Sequence, residues 1–537
     1  INPSALRTRA LRGSTNVRFL FSKRRGFPKP NRIKYPFPTH YSTTPKAESS
    51  PQDTSDPHPG LTPLRTGKGV SQRVVVLGGG FGGLYAALKL SELKWDTRPE
   101  ITLVDVADRF LFKPLMYELI TGEATIDQVA PLFRDVIGTS GIRFVQDEVK
   151  AVAYTDPDAN LAGRVTLGEN TSLEFDYLVS AVGAQANLDL AEGAKEYALP
   201  FVTLDDVRNL ETHLSRLEEA GKPVKIAVVG GGVGGVELAA AVSDRLCETI
   251  GPENTAVTLY VAGSSILQSF ASDARQVAES DLKAKNIQVK YNQRVGKIGK
   301  ESDETYSLEI SGDSSQNEVV NADIVLWTAG ARPVDLTGAQ GKVDETLRIL
   351  EHSREFAIGD VAGISSLPAT AQVAMQQADY VAWNIFADVN GEQLLKFRYQ
   401  HLGNMMTLGP LSAAATLNIP GVGDLTLKGP VASGLRKLAY IYRMPTTQQR
   451  LKVGSEWLRN PDLWVPKGLE IPRDIKDAEK LNEALNPFVN LPKLERLLDD
   501  QGREEVKGAL KGLFDRFTAE VGAAGMRGPK GPSNKKV

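Results

Sequence analysis

"VLGGGFGG" (76–83) and "VVGGGVGG" (228–235) are two nearly identical glycine-rich segments in one chain of 537 residues. Each follows an apolar run typical of a parallel strand buried on both faces, and each precedes apolar residues at helical spacing. We name residues 78–83 the first glycine-rich turn and residues 230–235 the second. Both fit G-x-G-x-x-G, whose glycines let a helix N-terminus approach a pyrophosphate. The chain therefore predicts two dinucleotide-binding sites.

Composition narrows the class of protein. The chain is 41% hydrophobic and 24% charged, and its net charge of -2 gives no reason to expect a nucleic-acid partner. One cysteine, Cys247, excludes a disulfide framework and a redox-active cysteine pair within the chain. No apolar run is long enough to predict a membrane-spanning helix, so we expect any membrane contact to be peripheral.

The first seventy residues have a different composition. They are rich in Arg, Lys, Ser, Thr and Pro, and no acidic residue precedes Glu48. This composition is typical of an organellar transit peptide followed by a linker. A disordered basic tail without a targeting role is the alternative.

Three further strings connect the two turns. "YLVSAVGAQAN" (177–187) and "ADIVLWTAGARP" (322–333) are predicted strands that end in small residues, and each can return the chain from an inserted sheet to a dinucleotide domain. "EFAIGDVAG" (355–363) then places Asp360 after a short apolar strand. In this order the chain resembles the flavoproteins with two dinucleotide-binding domains. The resemblance implies FAD at the first turn, NAD(P)H at the second, and contact of Asp360 with the ribityl–phosphate region of FAD.

Two segments narrow the resemblance. "DRFLFKPLMYELITGE" (108–123) is similar to the F-x-P-L-x-Y-E segment of type II NAD(P)H:quinone oxidoreductases, and "LPATAQVAMQQADYVAWNI" (367–385) to their A-Q-x-A-x-Q-Q segment. The family's F-x-Y-x-x-x-G stretch has a match in "FRYQHLGNMMTLG" (397–409). The resemblance covers about residues 72–465. Within the family, the chain looks most like the plant C1 class, which is associated with plastids. The single cysteine disfavours disulfide reductases and sulfide:quinone reductases.

The resemblance assigns site residues. We expect the FAD contacts at Gly78, Gly80, Phe81, Gly82, Gly83, Asp105, Lys113, Pro114, Gly183, Asp360, Ala371 and Gln372. We expect the NAD(P)H contacts at Gly230, Gly232, Val233, Gly235, Glu237, Val261 and Gly330. Catalytic roles are expected for Glu237, Gln372 and Gln376. In the family, the acid matching Glu237 lies near the nicotinamide; the alternative is an acid favoured by the helix dipole.

The end of the second strand predicts which nicotinamide is used. Asp105 ends the strand that follows the first turn, and a carboxylate there binds the adenosine ribose and repels a 2′-phosphate. "AVTLYVAGSSIL" (256–267) has Val261 at the matching position. We therefore predict that NADPH is preferred and that NADH is used less well. No arginine stands beside Val261 in the sequence, and Arg275 is a distant candidate; a site that ignores the 2′ position is the alternative.

The implied function is that of an FAD-dependent oxidoreductase. It passes two electrons from NADPH or NADH to a membrane prenylquinone of the plastoquinone or naphthoquinone type, without proton pumping. A ferredoxin- or rubredoxin-type reductase and a non-catalytic NAD(P)H-binding flavoprotein are the alternatives. No EF-hand loop appears, and we predict no metal site. We expect a chloroplast location, at the thylakoid or plastoglobule surface, with the mitochondrion as a second destination; a homodimer is left open.

The segment 433–464 is the predicted membrane contact. Leu435, Leu438, Ile441 and Tyr442 lie near helical spacing, and the segment carries six basic residues and two tryptophans, Arg436, Lys437, Arg443, Arg450, Lys452, Arg459, Trp457 and Trp464. A basic helix that packs on its own domain is the alternative.

These interpretations give an α/β fold with two Rossmann-like domains and a C-terminal amphipathic helical region. The predicted divisions are a transit peptide and linker (1–70), a discontinuous FAD domain (71–220 and 322–400), an NAD(P)H domain (221–321), a membrane-associating region (401–465), and a helical extension with a basic tail (466–537).

Overall fold

The computed structural model describes residues 65, 69–154, 163–168, 171–302, 305–312, 318–336, 342–419 and 423–459. Almost all of the predicted transit peptide and linker (1–70), the extension 466–537 and Trp464 lie outside these residues.

Strands alternate with helices around each glycine-rich turn and follow one another directly elsewhere. They are β1 (Arg73–Leu77), β2 (Glu100–Asp105), β3 (Arg143–Gln146), β4 (Val149–Tyr154), β5 (Gly163–Leu167), β6 (Ser172–Phe175), β7 (Tyr177–Ser180), β8 (Ala184–Ala186), β9 (Leu199–Pro200), β10 (Val224–Val229), β11 (Thr255–Tyr260), β12 (Gln288–Lys290), β13 (Arg294–Ser302), β14 (Thr305–Ser311), β15 (Glu318–Ala322), β16 (Ile324–Trp327), β17 (Ala331–Pro333), β18 (Glu355–Ala357), β19 (Asn404–Thr407), β20 (Ala413–Ile419) and β21 (Gly423–Lys428).

The helices include both long packing elements and short turns. They are α1 (Phe81–Glu92), α2 (Met116–Ile120), α3 (Ile126–Val129), α4 (Phe133–Ile137), α5 (Ala194–Tyr197), α6 (Leu204–Ala220), α7 (Val233–Thr249), α8 (Ser272–Ala284), α9 (Ala371–Asn390), α10 (Gly429–Arg443) and α11 (Thr447–Arg459), with 3₁₀ turns at Lys113–Leu115, Leu188–Leu190, Pro252–Asn254 and Gly359–Ala362.

Two parallel sheets form the framework. The first has the order β18-β7-β1-β2-β3 and the second has the order β12-β11-β10-β16-β9. The central strands β1 and β10 are almost wholly buried, as expected of parallel strands covered on both faces. This confirms the predicted α/β class with two dinucleotide-binding domains.

Helices cover the sheets through apolar faces rich in small residues. On the first sheet, α1 and α9 contribute Leu84, Leu90, Ala378 and Val381 to one core, and all four are fully buried. On the second sheet, α7 contributes Val236, Leu238 and Val242, among others, to a separate core. Each glycine-rich turn is thereby fixed between a buried strand and a buried helix.

The chain passes between the two sheets through a short ribbon. Strand β8 runs antiparallel to β17, and Gln185 is opposite Arg332. Gly183 and Gly330 precede these strands with φ of +71° and +73°, a backbone region that favours glycine. The segment that leaves the first sheet therefore pairs with the segment that returns to it.

The region after α9 differs from its prediction. It begins with an antiparallel sheet of order β19-β20-β21, and only then continues into α10 and α11. The amphipathic helices are present in the described residues, but the sheet before them was not predicted. In the part of the chain that the structure describes, no helix combines the length and hydropathy needed to cross a membrane.

Candidate nucleotide and electron-acceptor sites

The first glycine-rich turn is shaped by contacts that exclude side chains. Gly78 has φ of +91°, and a Cβ built on it lies 2.5 Å from the carbonyl oxygen of Ala181. A Cβ on Gly83 lies 1.8 Å from the carbonyl oxygen of Gly78. A Cβ on Gly80 meets no heavy atom within 4 Å. The turn is thus packed on its inner side and open at the N-terminus of α1, where a pyrophosphate fits.

Asp105 lies against this turn. Its Oδ2 accepts a hydrogen bond from the Gly79 backbone N–H at 2.5 Å, and its Oδ1 accepts one from Ala107 at 2.8 Å. Burial raises the pKa of Asp105, and these hydrogen bonds oppose the rise. The carboxylate is therefore oriented beside the turn, in the position that suits recognition of a ribose.

Residues around the first turn fall into two groups. Phe81 packs edge-on against Phe110 and Phe112, and a Cβ on Gly82 lies 3.1 Å from the Ile358 side chain. These contacts place Phe81 and Gly82 in the packing that holds the turn. Gly80 forms the second group, because no heavy atom lies within 4 Å of a Cβ built on it.

A second set of elements brings Asp360 and Lys113 together. Asp360 lies on a 3₁₀ turn, and Gln377 of α9 accepts a hydrogen bond from the Gly359 N–H at 2.6 Å. Burial raises the pKa of Asp360, while the charge of Lys113 opposes the rise. Lys113 and Pro114 begin the 3₁₀ turn that precedes α2. The two sequence motifs thus lie close enough for their opposite charges to interact.

The second glycine-rich turn borders a cavity of about 480 Å³. The predicted residues that line it are Gly230, Gly232, Val233, Val261 and Gly330. Gly235 instead packs inside the turn, because a Cβ on it lies 1.9 Å from the Gly230 carbonyl oxygen. Gly232, like Gly80, has no heavy atom within 4 Å of its built Cβ.

One arginine that the sequence analysis did not single out lines the cavity. Arg294 lines it, whereas Arg275, the candidate from the sequence, is on α8 and is not among its lining residues. Arg275 therefore stays a distant candidate, and Arg294 is the arginine that the structure places at the cavity. Arg294 is 33 residues from Val261 along the chain, and no local pattern links the two.

Glu237 is buried at the junction of three elements. It is 4% exposed, its Oε1 accepts a hydrogen bond from the Thr407 N–H at 2.8 Å, and it is hydrogen-bonded to Tyr117 of α2. Burial raises the pKa of Glu237 to about 7, against the lowering effects of Thr407, Arg436 and Tyr117. Glu237 does not line the cavity beside the second glycine-rich turn. This carboxyl can gain or lose a proton near neutral pH.

Gln372 and Gln376 attach a segment of chain to the start of α9. The helix begins at Ala371, after the N-cap Thr370. Gln372 Oε1 accepts hydrogen bonds from the Tyr399 hydroxyl at 2.5 Å and from the Leu402 N–H at 3.2 Å. Because a backbone N–H can only donate, this contact identifies the oxygen of the amide, and the amide nitrogen is directed elsewhere.

Gln376 makes a two-point contact with the same segment. Its amide donates to the Gln400 carbonyl at 2.8 Å and accepts from the Gln400 N–H at 2.9 Å. Both functions of the amide are used, so Gln376 positions the segment 399–402. Sequence reasoning missed Tyr399, although the quoted segment contained it, because its partner is 27 residues away.

Four predicted membrane-facing residues of the segment 433–464 are buried, which corrects that part of the prediction; one of them, Ile441, belongs to the core of the first sheet. Arg436 is 0% exposed and is paired with Glu118, Lys437 is buried beside Glu123, and Trp457 belongs to the core of the first sheet. An amphipathic pattern does not distinguish a lipid-facing surface from one that packs on the protein. The arginine was read as a surface charge because its buried partner is 318 residues away.

Comparisons with known proteins agree with this architecture. The family model for pyridine nucleotide-disulphide oxidoreductases matches residues 72–378. The chain is 40% identical to the alternative NAD(P)H-ubiquinone oxidoreductase C1, chloroplastic/mitochondrial, of Arabidopsis thaliana, over 72% of this chain and 80% of that protein. It is also 40% identical to demethylphylloquinone reductase NdbB of Synechocystis, over 72% of this chain and 96% of that protein.

A solved structure supports the fold. NDH2 of Plasmodium falciparum in complex with NADH matches with a TM-score of 0.61 and 20% identity, covering 72% of this chain and 98% of that one. Together with the sequence relatives, these findings show that the chain belongs to the pyridine nucleotide-disulphide oxidoreductase family and, within it, to the type II NAD(P)H:quinone oxidoreductases.

Proposed function

We propose that this enzyme holds FAD at the first glycine-rich turn and oxidises NADPH at the second, with NADH as a poorer donor, to reduce a membrane prenylquinone. A plastoquinone or naphthoquinone is the proposed acceptor. One observation carries the proposal: Tyr117 connects the two turns, which are open at Gly80 and Gly232. Tyr117 follows the predicted FAD contacts Lys113 and Pro114 in the chain, and it is hydrogen-bonded to Glu237 just after the second turn.

The first site fits FAD in its donor set and its shape. The open position at Gly80 leaves room for the pyrophosphate, Asp105 suits the adenosine ribose, and Asp360 suits the polar chain that joins the flavin to its phosphates. Bound FAD would supply the two-electron exchange between a nicotinamide and a quinone. The protein then has to position both substrates and exclude water.

Glu237 and Gln372 are the proposed groups at the reacting centre. A carboxyl with a pKa of about 7 can hold or release a proton at physiological pH, so Glu237 is suited to proton movement or to orientation of the nicotinamide. Gln372 has its oxygen occupied by Tyr399 and Leu402, which leaves its N–H groups to donate to a quinone carbonyl. Gln376 acts through the segment that it holds.

We further propose peripheral contact with lipid through the outer face of α10 and α11. Tyr442 is 62% exposed and lies near Arg450, and Lys452 is exposed on α11. Aromatic and basic side chains of this kind favour the headgroup region. The full-length protein should float with anionic liposomes and be released by salt, because each basic residue contributes about 1 kcal/mol near such a surface.

The proposed location is the plastid, with the mitochondrion as a second destination. The composition of residues 1–70 and the plastid and mitochondrial designation of the Arabidopsis relative support it. Residues 1–70, with the initiator methionine added, should direct a reporter protein into plastids. A cytosolic reporter would contradict the proposed location.

The two half-reactions test the activity separately. In stopped flow, NADPH should bleach the yellow flavin absorbance, and a soluble short-chain quinone should restore it. Gln372→Leu should slow the second step about tenfold and leave the first nearly intact, since a lost hydrogen bond of about 1 kcal/mol or more affects the acceptor alone. Gln276→Leu, at an exposed site on α8, is the matched control.

Each outcome selects a function. Bleaching without reoxidation by the quinone would favour a reductase for a protein acceptor such as ferredoxin. No bleaching by NADPH or NADH would leave a non-catalytic flavoprotein.

A further inference from the structure

The cavity beside the second glycine-rich turn has a simple charge pattern. Among the described residues that line it, Arg294 is the only charged one, and no aspartate or glutamate takes part. Its polar neighbours in the wall are neutral and include Ser265, Gln268 and Ser269. An anion in this cavity therefore meets one cation and no described acid.

Backbone hydrogen bonds place Arg294 beside the ribose-recognition position. The Gln293 N–H donates to the Val261 carbonyl at 2.9 Å, and the Asn292 N–H donates to the Gly263 carbonyl at 3.0 Å. Arg294 follows directly and begins β13. The cation thus stands next to the residue at which an NAD-specific site carries its acid.

The position of Val261 itself is fixed by the turn. A Cβ on Gly231 lies 2.6 Å from Val261 Cγ1, and a Cβ on the matching Gly79 lies 3.1 Å from Asp105 Oδ2. The two strand-end residues therefore occupy equivalent places. In the second site the acid is replaced by an apolar group, and Arg294 at the start of β13 supplies a cation.

We infer that Arg294 recognises the 2′-phosphate of NADPH and determines the nicotinamide preference of this enzyme. The inference rests on the proposed function of the second turn as the nicotinamide site. A guanidinium binds phosphate through two charge-assisted hydrogen bonds, which gives both affinity and orientation. The hydroxyls of Ser265 and Ser269 are available as neutral donors to the same group.

Nucleotide binding tests the assignment without turnover. Calorimetry on the flavin-loaded protein should show that Arg294→Ala weakens adenosine 2′,5′-bisphosphate about tenfold or more, with a much smaller change for adenosine 5′-diphosphate. The kcat/KM ratio of NADPH to NADH should fall by a similar factor, mainly through KM for NADPH. Arg294→Lys should fall between, because lysine keeps the charge and loses the two-point contact.

A charge-matched control lies on the same strand. Lys297 is paired with Glu192 at 3.0 Å and does not line the cavity, so Lys297→Ala should keep the wild-type preference. Equal binding of the bisphosphate by wild type and Arg294→Ala would overturn the Arg294 assignment alone. Failure of the wild-type protein to bind either nucleotide would overturn the proposed nicotinamide site, and the assignment with it.

Discussion

At the first glycine-rich turn the middle glycine faces a carboxylate, and at the second the matching glycine faces a methyl group. Gly79 is beside Asp105, whereas Gly231 is beside Val261. The inner contacts are otherwise alike, since Gly83 and Gly235 each lie against a carbonyl oxygen of their own turn. Equal backbones can thus hold different dinucleotides, because the backbone recognises the shared pyrophosphate and the strand end recognises the ribose.

A valine at the open position of each turn should have the largest effect on the two sites. Gly80 and Gly232 have no heavy atom within 4 Å of a built Cβ and have φ of −71° and −76°, so the conflict falls on the bound dinucleotide. Gly80→Val should purify almost without flavin. Gly232→Val should stay yellow and lose about a hundredfold or more in kcat/KM for NADPH, near 2.7 kcal/mol.

The flavin content of the purified proteins, read from their absorbance, decides this prediction. Both variants should keep the wild-type far-ultraviolet circular dichroism. A colourless Gly232→Val with a yellow Gly80→Val would reverse the assignment of the two turns.

The inner glycines should respond alike. Gly83→Ala and Gly235→Ala each place a Cβ under 2 Å from a carbonyl oxygen, at 1.8 Å and 1.9 Å. Overpacking of this kind costs about 1–3 kcal/mol or more of the free energy of unfolding. Urea denaturation should show similar losses for both, while Gly296→Ala, whose Cβ meets nothing within 4 Å, should show little. A loss at only one turn would mean that the other adjusts its backbone.

A second difference lies two residues beyond each turn. Tyr85 on α1 donates to the Arg443 carbonyl, whereas Glu237 on α7 is a buried carboxyl whose pKa is raised to about 7. The folded state holds that proton above pH 4.5, the ordinary value, so stability falls as pH rises from about 4.5 to about 7. The loss is up to about 3 kcal/mol.

Glu237→Gln should remove this part of the pH dependence. Denaturation at pH values from 5 to 8 measures it, and Glu219→Gln, at an exposed site, serves as the control. If the variant and the wild type lose stability in parallel, the carboxyl does not titrate in this range.

An acid placed at the end of the second strand should have the smallest effect. Val261→Glu recreates at the second turn an acid that can accept from the Gly231 N–H, as Asp105 does from Gly79. It should shift the kcat/KM ratio toward NADH by about tenfold, or 1.4 kcal/mol. Ala256→Glu adds the same charge at an exposed position on β11 and should leave the ratio unchanged. An unaltered ratio in Val261→Glu would mean that the ribose is recognised elsewhere.

The sequence predicts features that depend on residues close together in the chain, and it misses features that depend on distant partners. The strand, turn and helix around Gly78 and Gly230 are local patterns, and the fold class followed from them. The burial of Arg436 and the place of Arg294 depend on partners far along the chain, which periodicity does not reveal. The sheet β19-β20-β21 was missed because two of its strands, β19 and β20, carry methionine and alanine rather than alternating β-branched residues.

The ribbon of β8 and β17 has a consequence for synthesis on the ribosome. All strands of the second sheet lie between residues 199 and 327, so that sheet can form while the first sheet still lacks β18, at residues 355–357. Chains emerge from the N-terminus, and contacts distant in sequence form late. The inserted domain should therefore fold first, and the helix α1 with the first turn should wait for α9. A nascent chain stalled when residue 345 has just left the ribosomal exit tunnel should protect the second sheet from protease before the first.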